Sequence, residues 1–362
     1  MDINDILNIP PYSLDKSQKS EMLDRRIKFL TRHHYNNCLH YRRILDAEHI
    51  DISNLPHYSE MPMLPVRLFK EYELRSCAKD EIVKTMTSSG TTGQQVSRIY
   101  LDRDTSSLQT RCLTKIVSSF IGQQRVPMLI IDSSSVVKNR RMFSARGAGI
   151  LGFSMFGNKR AYALTDEMEL DIETIKSFLE QNKSAGTIFL FGFTFMIWQH
   201  FYKKLIESGY HPDLKNAILI HGGGWKKLLS EKITTEKFKQ ALHEACGIRP
   251  ENIHDYYGMV EQTGSIYMEC EYGHLHTSAF SDIIIRRPGD FSVAAPGEKG
   301  LIEVISVLPQ SYPGHILLTE DEGILLGEED CPCLRKGKYF KIEGRIKNAE
   351  IRGCSDTYAT KF

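Results

Sequence analysis

Several things are missing from this 362-residue sequence, and each absence excludes something. It has no appreciable net charge, with 46 Lys and Arg against 45 Asp and Glu. There is therefore no electrostatic case for nucleic acid or an anionic membrane as its main partner. It has no long apolar run: the longest, Ile188 to Trp198, is interrupted by Gly192 and Thr194 and is too short to cross a bilayer. No basic segment followed by an apolar one opens the chain at Met1-Asp2-Ile3-Asn4-Asp5, so neither a secretory signal nor a membrane span is expected. The expected location is the cytoplasm. Cysteine occurs eight times, at Cys38, Cys77, Cys112, Cys246, Cys270, Cys331, Cys333 and Cys354. Eight cysteines in a cytosolic chain of this size do not read as a disulfide framework. No Gly-Lys-Ser/Thr closes a glycine-rich loop, so a Walker A phosphate site is excluded.

What is present is a chain long enough for two or three compact units. Leu23, Ile27 and Leu30 repeat at helical spacing within residues 17–46, and Pro56, Pro62 and Pro65 break the stretch that follows. Residues 1–80 therefore read as a helical preface packed on a core. From there the pattern alternates. Strands are expected at Met128–Ile131, Thr187–Phe191, Ala217–Ile220 and Asn252–Tyr257, with helices at Met168–Gln181, Phe195–Leu205 and Ser230–Ala245. That spacing argues βαβ units and a parallel sheet covered on both faces, an α/β core over 81–278. After about residue 278 the strand-like segments Asp282–Arg286, Gly300–Val307, His315–Leu318 and Gly323–Leu326 are short and separated by Gly and Pro. Residues 279–362 are expected to form a smaller, mainly antiparallel β unit.

The segment Thr87-Ser88-Ser89-Gly90-Thr91-Thr92-Gly93 combines two glycines with five small hydroxyl residues. Glycines let consecutive N–H groups converge on an anion, and the hydroxyls add donors at little steric cost. Composition alone leaves a phosphate cradle and a plain polar surface loop equally open. Cys331-Pro332-Cys333, with Cys270-x-x-x-His274-x-His276 upstream, has the donors for a closed tetrahedral Zn²⁺ site of Cys₃His type. Reduced thiols beside a surface histidine are the plainer alternative. Phe189, Phe191, Phe193 and Phe195 would suit an apolar acyl wall, and equally an ordinary core.

The loop resembles the phosphate-binding signature of the adenylate-forming superfamily of acyl-CoA synthetases, peptide-synthetase adenylation domains and luciferases. Later signatures occur in the same order. Tyr257-Gly258-Met259-Val260-Glu261 resembles the Tyr-Gly-x-Thr-Glu motif, Gly297-Glu298-Lys299-Gly300-Leu301-Ile302 a Gly-Glu-x-Gly turn, and Thr319-Glu320-Asp321 the ribose-binding segment. Gly344-Arg345 and Ile351-Arg352-Gly353 resemble the segment that follows the main domain. Within that superfamily, Pro65–Lys70, His221-Gly222-Gly223-Gly224-Trp225-Lys226-Lys227 and Ile351–Asp356 are similar to the LuxE-type acyl-protein synthetases, from about residue 5 to the C-terminus.

The resemblance implies the adenylate-forming large-domain fold and ATP-dependent activation of a carboxylic, expectedly fatty, acid as its acyl-AMP. It implies phosphates on Thr87–Gly93, Mg²⁺ on Glu261, adenine against Tyr257, Gly258 and Gly222–Gly224, ribose on Asp321, and Arg345 as a further ribose or phosphate contact. It also implies acyl transfer to Cys354, where flanking Arg352 favours the thiolate, and from there to an acyl-CoA-reductase-like partner. Phenylacetate-CoA ligase-like relatives carry a similar Cys/His set, which implies zinc on Cys270, His276, Cys331 and Cys333, with His274 the alternative imidazole. Two departures stand out. Gln95-Val96 replaces the usual Pro-Lys after the loop, which leaves Arg98 as a substitute charge. The usual mobile lid domain with its catalytic lysine is not expected within 362 residues, and Lys226 or Lys227 are the candidates to take its place. Two other functions fit the same residues: an acyl- or aryl-CoA ligase with Cys354 inert, and an inactive nucleotide-binding scaffold.

Overall fold

The computed structural model describes residues 2–88, 96–138, 145–225 and 233–346. The first strands are short: β1 (Leu64–Pro65), then β2 (Lys84–Thr87) and β3 (Arg98–Leu101), which form an antiparallel pair of their own. Five longer strands follow, β4 (Val126–Ser133), β5 (Gly157–Leu164), β6 (Ile188–Phe193), β7 (Ala217–Gly222) and β8 (Ile253–Tyr257). They run parallel in the order β5-β4-β6-β7-β8. The remaining six are β9 (Tyr267–Glu269), β10 (Leu275–His276), β11 (Ser281–Arg286), β12 (Lys299–Ser306), β13 (Ile316–Glu328) and β14 (Lys338–Arg345). They continue the same sheet antiparallel from β8, in the order β9-β10-β14-β13-β12-β11, and β1 joins β13 in parallel.

The parallel strands β4, β6 and β7 are covered on both faces, which explains why their sequences are almost continuously apolar. Met128, Ile130, Phe189, Phe191 and Ile220 face the helices Arg103–Ile121 and Ala145–Ser154 through Cys112, Ile116, Ile150 and Phe153. On the opposite face, Leu129, Ile131, Leu190 and Leu219 meet Ile175 and Phe178 of Ile172–Gln181. They also meet Leu205 of Lys203–Ser208, and Phe238 and Leu242 of Thr235–Cys246. The helical segment after β6 is π-helical over Ile197–Tyr202. A π turn inside a helix is rare and is frequently found beside functional sites.

The βαβ alternation and the antiparallel character after residue 278 are as expected from the sequence. Other elements were not read from the sequence, β9, β10 and β14 among them, and three show why. The helix Arg103–Ile121 is rich in Ser and Thr, which compete for backbone hydrogen bonds and blur the apolar period; its start is fixed by Asp102 Oδ1 accepting from Thr105 N at 2.7 Å. The edge strand β5 carries Asn158, Lys159 and Arg160, charges that protect an open edge while hiding it from a hydrophobic pattern. β13 is one strand rather than two short ones. Its Gly323 is no break: a Cβ there would lie 2.7 Å from Lys341 O, so glycine permits close strand approach.

The helix Lys16–Asn37 begins with a capping box between Asp15 and Gln18, and Leu23, Ile27 and Leu30 on its inner face are fully buried. It lies on the antiparallel half of the sheet. Arg26 Nε donates to Val307 O at 3.0 Å, and Lys19 Nζ to Thr277 Oγ1 at 2.7 Å. Lys19 also sits 3.7 Å from Asp282 Oδ1, while Asp282 Oδ2 accepts from Lys338 Nζ at 2.7 Å and from the Tyr58 hydroxyl at 2.9 Å. Burial opposes ionisation of Asp282, but Lys338 and Lys19 outweigh it and hold the carboxyl below its ordinary range. Burial lowers Lys19 to about 8 despite that partner. Among the described residues no helix is long and apolar enough to cross a membrane.

Asp282 therefore carries the attachment of the N-terminal helix, and its loss leaves two cations in a dry interface. Asp282→Ala is expected to destabilise the protein by about 3–5 kcal/mol in denaturant unfolding. A loss below ~1 kcal/mol would show that the cluster is hydrated and unimportant.

Candidate functional site

The described residues singled out for nucleotide binding gather at the carboxyl ends of the parallel strands and along β13 and β14. Thr87 ends β2 and Ser88 follows it. Ser88 N donates to Ser97 O at 3.2 Å and Ser97 N to Ser88 Oγ at 3.0 Å, so the two ends of the hydroxyl-rich loop are clasped. Ser89, Gly90, Thr91, Thr92 and Gly93 lie outside the described residues, as do Lys226, Lys227 and Cys354. Arg98, the candidate substitute charge, is in β3 paired with Thr87 and is exposed.

Glu261 stands in a single 3₁₀ turn, Val260–Gln262, between β8 and β9. The Tyr312 hydroxyl donates to Glu261 O at 2.9 Å, and Gln262 Nε2 donates to Gly314 O at 2.8 Å and Val304 O at 3.1 Å. The turn is thus pinned from the antiparallel half. Glu261 is buried, which raises the pKa of its carboxyl; the Ser97 hydroxyl and the Arg345 guanidinium pull in the other direction without overcoming burial. The foot of the hydroxyl loop therefore meets a desolvated carboxyl. A cation placed there would gain strongly, because carboxylate oxygens are hard ligands and the site is dry.

Asp321 lies beside it. Its Oδ2 accepts from the Tyr257 hydroxyl at 2.8 Å and its Oδ1 from Arg345 Nε at 2.9 Å. Asp321 and Arg345 are cross-strand partners on β13 and β14. Burial and the Asp321 charge push the Tyr257 phenol well above its ordinary range, so it stays a donor. Asp321 is a carboxylate held in one orientation by two donors from different parts of the chain, able to accept further from ligand hydroxyls.

Gly222 closes β7, and Gly223 and Gly224 follow with φ of 82° and 60°, in the left-handed region. A Cβ on Gly222 would lie 2.6 Å from Tyr256 Cε1, so only glycine lets the Tyr256 ring lean across the strand end. Thr194 Oγ1 donates to Gly222 O at 3.1 Å and lies 2.9 Å from His221 Nδ1. Thr194, Ser97 and Tyr312 were not found by sequence reasoning. The one signal available was Thr194 interrupting the apolar run Ile188–Trp198.

The predicted metal ligands also come together. One donor atom each from Cys270, His276, Cys331 and Cys333 lies within 4.8 Å of the others. Cys270 Sγ and Cys331 Sγ are 3.9 Å apart, and Cys333 Sγ is 3.3 Å from His276 Nε2. A tetrahedral zinc with Zn–S of about 2.3 Å requires sulfurs about 3.8 Å apart, so the set fits. His274 Nδ1 reaches Cys331 Sγ at 3.3 Å and stacks on Tyr339, an outer position relative to the four. Cys331 and Cys333 precede β14 and Arg345 ends it. Eight residues at about 3.4 Å each put the thiols some 25 Å from the Asp321–Arg345 pair.

The LuxE family, described as acyl-protein synthetase, matches residues 1–362. A long-chain-fatty-acid–luciferin-component ligase from Vibrio harveyi is 23% identical over 363 residues, covering 97% of this chain and 91% of that protein. Its namesake from Aliivibrio fischeri is 23% identical over 355 residues, covering 95% and 90%. Among solved structures, an open conformation of 2-hydroxyisobutyryl-CoA ligase, in complex with 2-HIB-AMP and CoA, superposes with a TM-score of 0.67. It is 14% identical and covers 95% of this chain and 79% of that one. The postadenylation state of that ligase gives 0.66 at 13% identity, covering 92% and 69%. These likenesses establish the adenylate-forming fold.

Behind the glycines, burial pushes His221 down to about 3, and in the neighbouring strand it pushes His254 down to about 4. Both fold as neutral rings, against an ordinary value near 6.5. Their contribution to stability is therefore complete above about pH 6.5 and is lost as pH falls toward 3–4. Denaturant midpoints measured from pH 7 to 4.5 should fall, and His221→Gln should make that fall shallower, by at most about 1.4 kcal/mol per pH unit. An unchanged slope in the variant would show that His221 takes up its proton without unfolding.

Proposed function

Because the chain belongs to the LuxE family of acyl-protein synthetases, enzymes of the ligase class, we propose that it uses ATP to activate a carboxylic acid as its acyl-AMP. The acid is a fatty acid, as the names of its relatives suggest. The observation that carries this reading is the convergence of Ser88, Glu261 and the Tyr257–Asp321–Arg345 group at one edge of the sheet.

Each member has a distinct task. The acid's carboxylate oxygen attacks the α-phosphorus, and the bond to the β-phosphate bridging oxygen breaks, releasing pyrophosphate. Catalysis of such a transfer is mainly positioning and charge neutralisation. The loop Thr87–Gly93 holds the leaving phosphates with backbone N–H groups and hydroxyls. Mg²⁺, when bound, neutralises phosphate charge, and Glu261 is the residue that would hold it. Asp321 accepts from the ribose hydroxyls, with Tyr257 and Arg345 fixing its orientation. The glycines Gly222–Gly224 allow adenine to approach the backbone, with Tyr257 and Gly258 on its other side.

In the second step the Cys354 thiolate attacks the acyl carbonyl and AMP leaves, giving a thioester that an acyl-CoA-reductase-like partner then draws upon. Cys354 lies nine positions after Arg345, a tether of up to about 30 Å. The thiol is therefore within reach of an adenylate held at Asp321. Zinc on Cys270, His276, Cys331 and Cys333 is structural in this reading. The cluster lies at the far end of β14 and has four protein donors with no position left for a substrate.

Protein incubated with ATP, Mg²⁺ and labelled long-chain acids, without coenzyme A, should show acid-dependent ATP–pyrophosphate exchange and hydroxylamine-sensitive label. Glu261→Gln should lower exchange by about 10²–10³. Cys354→Ser should lose the label and keep the exchange. If no acid supports exchange, adenylation is wrong; label that survives in Cys354→Ser removes the cysteine acceptor alone. Elemental analysis should find about one zinc per chain, and Cys331→Ser should lose it. Well-folded protein that never contains metal would refute the zinc assignment.

A further inference from the structure

The four zinc ligands proposed above carry more negative charge than one zinc ion cancels. Three thiolates and a neutral imidazole on Zn²⁺ leave a net negative charge on the cluster. Cys270 and His276 are 0% exposed, Cys331 is 2% exposed and Cys333 is half-buried, so water screens little of that charge. A charge in such a place is stable only with an opposite charge close by.

Arg335 is placed to supply it. It lies two positions after Cys333, and its guanidinium interacts with the Cys333 sulfur. Arg335 Nη1 donates to Glu271 Oε2 at 2.5 Å, and Glu271 is the residue next to Cys270. The ion pair therefore links the same two ligand-bearing segments, residues 270–276 and 331–335, that a metal would join. The guanidinium also lies against two rings. Its central carbon is 4.6 Å from the centre of Phe120 and 5.9 Å from that of Tyr12, and these rings meet edge to face at 6.2 Å. Phe120 belongs to the helix Arg103–Ile121, while Tyr12 precedes the helix Lys16–Asn37 and is tied down by Lys336 N donating to its carbonyl at 3.2 Å. The Arg335 side chain is only 20% exposed. An arginine that merely covers surface keeps its charged head in water and is not held in this way. Other cations of the region are engaged elsewhere: Lys19 and Lys338 with Asp282, and Lys239 with Glu269.

We propose that Arg335 is a positioning residue for the metal, donating to the Cys333 thiolate and offsetting the surplus charge of the cluster. Glu271, Phe120 and Tyr12 hold the guanidinium in that place. Two consequences follow. The site binds metal without leaving an uncompensated charge in a dry environment. The Cys333 thiolate also becomes a poorer nucleophile, because its lone pair is engaged by the guanidinium. The inference rests on the zinc assignment and is independent of the adenylation reading.

The test measures zinc affinity by competition with a chelating dye, in the wild-type protein and in Arg335→Leu, Arg335→Lys and Glu271→Gln. Arg335→Leu keeps an apolar side chain against the two rings and should weaken zinc binding by about 10–100-fold. Arg335→Lys restores the charge without the planar fork and should recover part of that loss. Glu271→Gln should lie between wild type and Arg335→Leu. In cobalt-substituted protein the sulfur-to-metal charge-transfer band should move to longer wavelength in Arg335→Leu, which lost packing alone would not cause. Iodoacetamide should also alkylate the metal-loaded Cys333 faster in that variant. Zinc affinity unchanged in Arg335→Leu overturns the proposal, and an unshifted band overturns it even where affinity falls. Equal losses in Arg335→Leu and Arg335→Lys overturn the counter-charge role. Should Arg335→Leu not fold, Glu271→Gln decides, and an unchanged affinity and band there overturn the proposal. Wild-type protein that binds neither zinc nor cobalt refutes the zinc assignment and this inference with it, and leaves adenylation untouched.

Discussion

The carboxylate of Asp321 takes one hydrogen bond from a parallel strand and one from an antiparallel strand, and the site exists only because those strands belong to one sheet. Tyr257 and Asp321 are 64 positions apart in sequence. What brings them together is the reversal after β8. Tyr256 and Tyr257 pair antiparallel with Met268 and Tyr267, β10 then pairs with β14, and β14 with β13. Were the parallel and antiparallel halves separate layers, Tyr257 would have no carboxylate to orient. Arg345 would then sit beside Asp321 without a third partner. The Cys/His cluster acts on the same pairing from the opposite end, joining the turn after β9 to the segment between β13 and β14.

Burial is used differently at three carboxyl groups. Asp282 is dry but has two lysines and a tyrosine, so it stays ionised and holds the N-terminal helix in place. Glu261 is dry with weak compensation from Ser97 and the more distant Arg345, so its anionic form is unfavourable until a cation arrives. Asp132 lies between these, paired with one guanidinium yet raised. Incomplete compensation at Glu261 leaves a place where a cation would supply what the protein does not.

Much of the site was legible in the sequence because it is local. Tyr257-Gly258 and Glu261 occur within five residues, as do Thr319 and Asp321, and the four Cys/His donors come in two short clusters. Short spacing keeps such groups together as motifs, so the resemblance could carry the nucleotide residues and the Cys/His donors could be read by type. Thr194, Ser97 and Tyr312 were not legible. Each acts through a partner far along the chain, as Tyr312 does on Glu261, 51 positions away. No periodicity encodes such a contact; only the completed sheet makes it. The fold divides in the same way. The buried strands β4, β6 and β7 announce themselves as apolar runs, whereas β5 is written in the charges that protect an edge.

The phenylalanine-rich run shows why a residue type cannot be assigned a role before its strand position is known. Phe189 and Phe191 are fully buried, with Phe191 stacked on Phe153 at 4.1 Å and Phe189 edge-on to Phe156. These are core contacts, and replacing either ring would cost stability before it changed a substrate. Phe193 points to the same face but at the strand's carboxyl end, level with Gly222 and Asp132. It has the same side chain and period, yet only this last ring borders the crevice where connections leave on opposite faces. Position along the strand therefore separates a ring that borders the crevice from rings that only fill the core.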